Sequence, residues 1–128
     1  MSTEQNKAVV RRFIERELNT MDLGVVDEIL APDYVNHMVP GGREGFKKFD
    51  AMMRSGAGFK MGITIEHLVA EGDYVVARIK FHVTNAGKEV TSSELAEYRV
   101  VNGKIAEDWP PTNTAAMMQQ VGIKMPGM

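Results

Sequence analysis

The sequence predicts a single α+β domain, with helices from the first half of the chain lying across a curved antiparallel sheet built from the second half. Three observations carry that prediction. Apolar residues recur at helical spacing near the N-terminus, the period changes to two residues from Met61 onward, and the second strand pattern presents a uniformly apolar face that must be covered.

Ser2 with Gln5 makes a capping-box pattern, and Val9, Val10, Phe13, Ile14, Leu18 and Met21 continue it as a long amphipathic helix. Asp22 can cap a shorter second helix with Leu23, Val26, Ile29 and Leu30 on its apolar side. Pro32 stops that helix, because the residue before a proline is pushed out of the helical region. Asp33 to His37 then reads as a short extended segment and Pro40-Gly41-Gly42 as a loop. Helical period returns from Arg43 to Ser55, with Phe46, Phe49, Met52 and Met53 inward.

Ile63, Ile65 and Val69 alternate with polar neighbours in the first strand of the meander. Glu71-Gly72-Asp73 turns into a second strand with Val75, Ala77, Ile79, Phe81 and Val83 on the apolar face and Arg78, Lys80 and His82 on the wetter one. The turn from Asn85 to Lys88 leads into a third strand ending near Val101, where Asn102-Gly103 is a strong hairpin signal. The fourth strand, Lys104 to Trp109, ends at Pro110-Pro111, since proline has no N–H for a ladder. A helical turn from Thr114 to Val121 stops at Gly122, and the tail Met125-Pro126-Gly127-Met128 is expected to be loose.

With 128 residues, 44% of them hydrophobic and 25% charged, the chain has the size and composition of one globular domain. Its net charge of −2 lacks the basic footprint that nucleic-acid binding requires. The absence of cysteine excludes disulfides, thiolate metal sites and cysteine nucleophiles, and fits a reducing cytoplasm. No apolar run approaches the roughly 18 residues that span a bilayer, and the first residues lack the apolar core of a signal peptide. A cytoplasmic protein with no membrane partner is expected. His37, His67 and His82 show no metal-ligand spacing, so no metal is expected. The glycines between Gly56 and Gly62 follow a helix and precede a strand, the reverse of a dinucleotide loop. No phosphate loop or nucleophile elbow is present.

Asn6-Lys7-Ala8-Val9-Val10-Arg11-Arg12-Phe13, the run Val25 to His37, Gly45-Phe46-Lys47, the run Ile65 to Asp73 and Gly103 to Trp109 together make the chain resemble the SnoaL-like polyketide cyclase family, within the nuclear-transport-factor-2-like superfamily. The resemblance runs almost end to end. It implies a cone-shaped α+β barrel, its strongly bent antiparallel sheet covered by helices around a deep apolar pocket open at one end, and, as dimers are common there, a homodimer. In characterised cyclases of the family a pocket Asp is acid/base for an intramolecular aldol closure of a polyketide ester, helped by a histidine and by the substrate's delocalised enolate, with no cofactor. Two features depart from the pattern. Pro110 and Asn113 stand where family members often carry Asp, and the hairpin at Asn85 to Lys88 is much shorter than the usual loop.

His37 lies where the family places a histidine at the pocket mouth. Its side chain suits proton shuttling or hydrogen bonding to a substrate carbonyl; the plainer reading is a loop histidine bonded to backbone. Asp108 shares a strand face with position 110, because side chains alternate, and can replace the missing carboxylate if apolar walls lift its pKa. The plainer reading is a solvated carboxylate. Tyr34, Phe49, Met53 and Trp109 sit at element ends where a cone would open and are the candidates for touching a ligand. Glu97 is expected in a cross-strand ion pair with Lys80 or Arg78, His67 as a satisfied core histidine, and His82 as exposed or at a dimer contact.

The expected activity is that of a cofactor-independent acid/base cyclase or isomerase acting on a hydrophobic, carbonyl-bearing, polyketide-like molecule, with His37 and Asp108 as its catalytic pair. The alternative is a non-catalytic protein binding a small hydrophobic ligand in the same pocket.

Overall fold

The computed structural model describes residues 2–56 and 58–124; the tail expected to be loose, from Met125, lies outside them. In chain order the elements are α1 (Thr3–Arg12), a π-helical turn (Phe13–Leu18), a 3-10 turn (Leu23–Val25), α2 (Val26–Ile29), β1 (Leu30–Asn36), α3 (Gly42–Met53), β2 (Lys60–Glu71), β3 (Tyr74–Asn85), β4 (Lys88–Val101), β5 (Lys104–Trp109) and α4 (Thr114–Gln120). The sheet order is β1-β5-β4-β3-β2. The predicted meander is β2 to β5, all antiparallel, whereas β1 joins the far edge parallel to β5 and makes the sheet mixed.

The capping box at Ser2 forms, with the serine hydroxyl accepting from the Gln5 N–H at 3.1 Å and Gln5 Oε1 accepting from the Ser2 N–H at 2.9 Å. Helix period then carries Val10, Phe13 and Ile14 into the core. The Phe13 ring ties three elements together, lying 5.7 Å from Phe46 on α3 and 6.1 Å from Tyr98 on β4. The second helix is shorter than expected, and extended structure begins at Leu30 rather than at Asp33. Pro32 is accommodated because β1 is an edge strand, and its ladder to β5 is irregular between Leu30 and Val35.

Two β-bulges interrupt the antiparallel ladders, between Ile65 and His67 and between Arg99 and Val100. An extra residue bends and twists its strand, and the sheet is strongly curved though open at β1 and β2. The first bulge also corrects the sequence reading of β2. Beyond it Leu68 pairs with inward Ala77, while His67 pairs with outward Arg78 and Val69 with Val76. His67 is therefore exposed rather than a core histidine, and Val69 is 60% exposed. Met52, expected inward, is 53% exposed. Glu97 faces Val76 and Trp109 across the ladders, and Arg78 pairs instead with Glu66 at 3.5 Å.

One glycine is sterically required. A Cβ on Gly45 would lie 2.0 Å from the Pro40 carbonyl oxygen, so only glycine lets the first turn of α3 pack against the preceding loop. No helix among the described residues is long and apolar enough to cross a membrane.

Candidate functional site

The inner face of the sheet and the covering helices leave a hollow lined mainly by apolar side chains, among them Phe46, Phe49 and Met53 of α3, Ile79 and Phe81 of β3, and Met118 of α4. Its cavity volume is about 70 Å³. The space is slim. Polar groups enter this lining at few places: Asn36 from β1, Tyr98 from β4, Asp108 from β5, Asp50 from α3, and Thr114 at the start of α4.

Strand alternation explains the placement of Asp108. It is the cross-strand partner of both Tyr98 and Asn36, so all three project inward from adjacent strands. Asp108 is 4% exposed. Its Oδ2 accepts a hydrogen bond from the Tyr34 hydroxyl at 2.9 Å. That hydroxyl accepts in turn from Asn36 Nδ2 at 2.9 Å, and Asn36 Oδ1 accepts from the backbone N–H groups of Met38 and Val39. The chain of bonds fixes the carboxyl and occupies one of its oxygens. Among the described residues Oδ1 has no protein donor.

Burial among apolar walls pushes the Asp108 carboxyl up from 3.8 to about 7, against the opposing effects of the Tyr34 hydrogen bond and the positive charge His37 carries when protonated. Desolvation outweighs both because the charged form loses its water and gains only one donor. Burial and the neighbouring Asp108 charge also push the Tyr34 and Tyr98 hydroxyls well above the usual tyrosine range, which keeps both protonated.

The structure divides the six residues singled out from sequence. Phe49 and Met53 line the hollow, and Tyr34 holds the carboxyl of Asp108, which also lines it. His37 and Trp109 do not enter it. Each follows an inward residue, Asn36 and Asp108, so both project from the other face of the sheet, where the imidazole stacks on the indole at 4.8 Å and 7°. His37 Nε2 lies 2.7 Å from Glu107 Oε2, and Glu107 also accepts from Arg99 at 2.7 Å. The hydrogen bonds to His37 and then to Arg99 hold the Glu107 carboxyl below its usual range. His37 touches the Asp108 residue only through a backbone bond, its N–H donating to the Asp108 carbonyl at 2.9 Å. The sequence pairing of His37 with Asp108 is thus corrected by the pleat.

Asp50 and Glu17 are buried acids that sequence reasoning missed. The signal was present, because Asp50 stands four residues after Phe46, and Glu17 seven after Val10, each on the apolar stripe of its helix. Among the described residues no group of three or more His, Asp or Glu converges as a metal site.

A family model described as SnoaL-like polyketide cyclase matches residues 8–121. The chain belongs to this family. No curated protein matches it by sequence. Among solved structures it is similar to a putative polyketide cyclase from Bacillus cereus ATCC 10987, at 25% identity and TM-score 0.78 over 97% of this chain and 87% of that one. It is also similar to IdmH, a putative polyketide cyclase from Streptomyces antibioticus, at 24% identity and TM-score 0.71 over 93% and 99% of the two chains. A third similar structure, the M. tuberculosis LEH-like epoxide hydrolase, aligns at 18% identity and TM-score 0.74 over 93% and 86%. At these identities the likeness to IdmH and to the epoxide hydrolase is one of fold, and this SnoaL-like fold carries the hollow described above.

Proposed function

We propose that the protein is a cofactor-independent enzyme that moves a proton on a slim, hydrophobic, carbonyl-bearing small molecule, as a cyclase or isomerase, with Asp108 as the acid/base group. One observation carries the reading: a carboxyl that is 4% exposed, fixed through one oxygen and lining an apolar hollow, is pushed up to about 7. A group poised there is half ionised at neutral pH and serves both to take and to give a proton. As a base, Asp108 removes a proton from the carbon beside the substrate carbonyl, and the C–H electron pair delocalises into an enolate. In an isomerisation the same proton returns to a different carbon. In a cyclisation the enolate carbon attacks a second carbonyl, and the new alkoxide is protonated. The apolar lining excludes water and keeps the carboxyl desolvated throughout.

Turnover of a polyketide or ketosteroid surrogate tests the proposal. Asp108→Asn should lose at least about 100-fold in rate. Equal rates in the two proteins would overturn it, and ligand-dependent thermal stabilisation without chemical change would instead mark a binding protein. We further propose that the chain works as a homodimer in the cytoplasm. The dimer is supported by Val69 and Leu95, both at least 60% exposed on the outer face of the sheet. Sedimentation should give a dimer mass, reduced by Leu95→Glu; a monomer mass in the unmutated protein would refute it.

A further inference from the structure

A second ionisable cluster lies behind the hollow, reached from the helices rather than from the sheet. The π-helical turn Phe13–Leu18 carries Glu17 into the core, where the side chain is fully buried and neither carboxyl oxygen has a partner. It neighbours Asp50 on α3, whose carboxyl raises that of Glu17 and which is 3% exposed and lines the hollow. Asp50 Oδ1 accepts from Arg54 Nε at 2.9 Å, and its Oδ2 is buried without a partner. Arg54 is itself fixed, donating to the Leu18 carbonyl at 2.6 Å. Two carboxyls therefore adjoin one guanidinium, and three of their four oxygens lack a donor. A proton between the carboxyls supplies a donor and leaves one negative charge opposite one positive charge, which is the arrangement burial favours.

The charged groups facing Glu17 are Asp50, Arg54 and Asp22 of the following turn. Strand β2, packed on the same segment, meets it through Asn19, whose amide bonds both backbone groups of Ile63. Burial first, and then Asp50, pushes the Glu17 carboxyl up to about 9. Glu17 thus retains its proton at neutral pH.

We propose that Glu17 and Asp50 share one proton and form a second proton-transfer station of the hollow, with Asp50 meeting the substrate oxygen and Glu17 acting behind it as a positioning residue. This rests on the acid/base reading of Asp108 and deepens it. His37 stands outside the hollow, so the reaction needs another acid for the carbonyl oxygen. As Asp108 takes the proton from carbon, the carbonyl oxygen becomes strongly basic. The shared proton passes to that oxygen, an O–H bond forms, and the carboxyl pair is left doubly ionised beside Arg54. When the enol collapses to product, its O–H bond breaks and the proton returns to the pair. Arg54 limits the energetic penalty of the doubly charged state, and the two carboxyls' repulsion favours the proton's return. A π turn at this point fits the role, since such turns recur at functional sites.

Infrared spectroscopy and turnover test the proposal together, on the full chain. At neutral pH Asp108 is itself half protonated, so the reading is made in Asp108→Asn: that protein should keep a protonated-carboxyl band, which adding Glu17→Gln removes. With the surrogate of the Asp108 test, Asp50→Asn should lose about 100-fold in rate. Glu17→Gln, whose amide can donate to Asp50 but cannot give up the shared proton, should lose a similar factor. The wild-type rate should fall as pH rises past about 9, and Glu17→Gln should abolish that alkaline limb, which a merely structural role would not move. A band that Glu17→Gln leaves untouched in the Asp108→Asn protein overturns the proposal even if Asp50→Asn fails to fold. Inactive Asp108→Asn beside fully active Glu17→Gln and Asp50→Asn overturns it and spares the role of Asp108. Absence of wild-type turnover removes the role of Asp108 and this proposal with it.

Discussion

Replacing Asp108 by asparagine should make the protein more stable, by an amount that grows from about pH 4 and levels off above about pH 7. In the native protein burial raises the carboxyl from 3.8 to about 7, while in the unfolded chain it titrates near its ordinary value. Between those two pH values the native state holds a proton the unfolded state has released, so stability falls as pH rises through that window. The gap corresponds to at most about 4 kcal/mol, fully expressed above pH 7 and absent below pH 4. Asparagine is neutral at every pH, and its amide oxygen can accept the Tyr34 hydroxyl in place of Oδ2. Allowing for relaxation around the site, about 2 kcal/mol is expected to appear, or roughly 8 °C in melting temperature for a domain of this size. The assay is thermal unfolding of both proteins from acid to mildly alkaline pH. Glu17 titrates in both and cancels in the difference. A stability difference that does not change with pH would refute the reasoning, because it would show that folding leaves the Asp108 carboxyl at its ordinary pKa.

Tyr34→Phe removes the donor that lowers the Asp108 pKa, so the acid limb of any activity profile should move to higher pH. It should also cost about 1–2 kcal/mol in urea denaturation, as the Asn36 amide loses its acceptor. His37→Ala should leave turnover within about threefold of wild type and stability within about 1 kcal/mol, because its ion pair with Glu107 is exposed and lies on the other face of the sheet; surrogate kinetics and thermal melts check both. Gly45→Ala should destabilise by about 2–3 kcal/mol, since its Cβ would overlap the Pro40 carbonyl oxygen, and chemical denaturation would show it.

Much of this architecture was legible because each signal was local. The Ser2 and Gln5 cap, the two-residue alternation of β3 and the Asn102-Gly103 hairpin each lead to the element observed. What escaped depends on contacts between distant segments. Nothing local announces that Leu30 to Asn36 pairs parallel with β5, or that a bulge after Ile65 reverses the faces of His67 and Val69. Alternation put Asp108 on the face of position 110, which the resemblance places in the pocket, with a solvated carboxylate as the plainer reading; the same alternation, applied to Trp109 and His37, would have turned both outward. They were placed at the pocket by resemblance and by their position at element ends. Glu17 and Asp50 were missed because a carboxyl within an apolar stripe reads as an interruption until the neighbouring stripe is known to carry one too.

The most direct test of the central claim is a titration of Asp108 itself, by NMR of carboxyl carbons with Asp108→Asn identifying the resonance. The structure predicts a midpoint at about 7, moving further up in Tyr34→Phe. A midpoint at the ordinary aspartate value, near 3.8, would mean that the hollow is wet and that its carboxyl is no proton carrier at neutral pH.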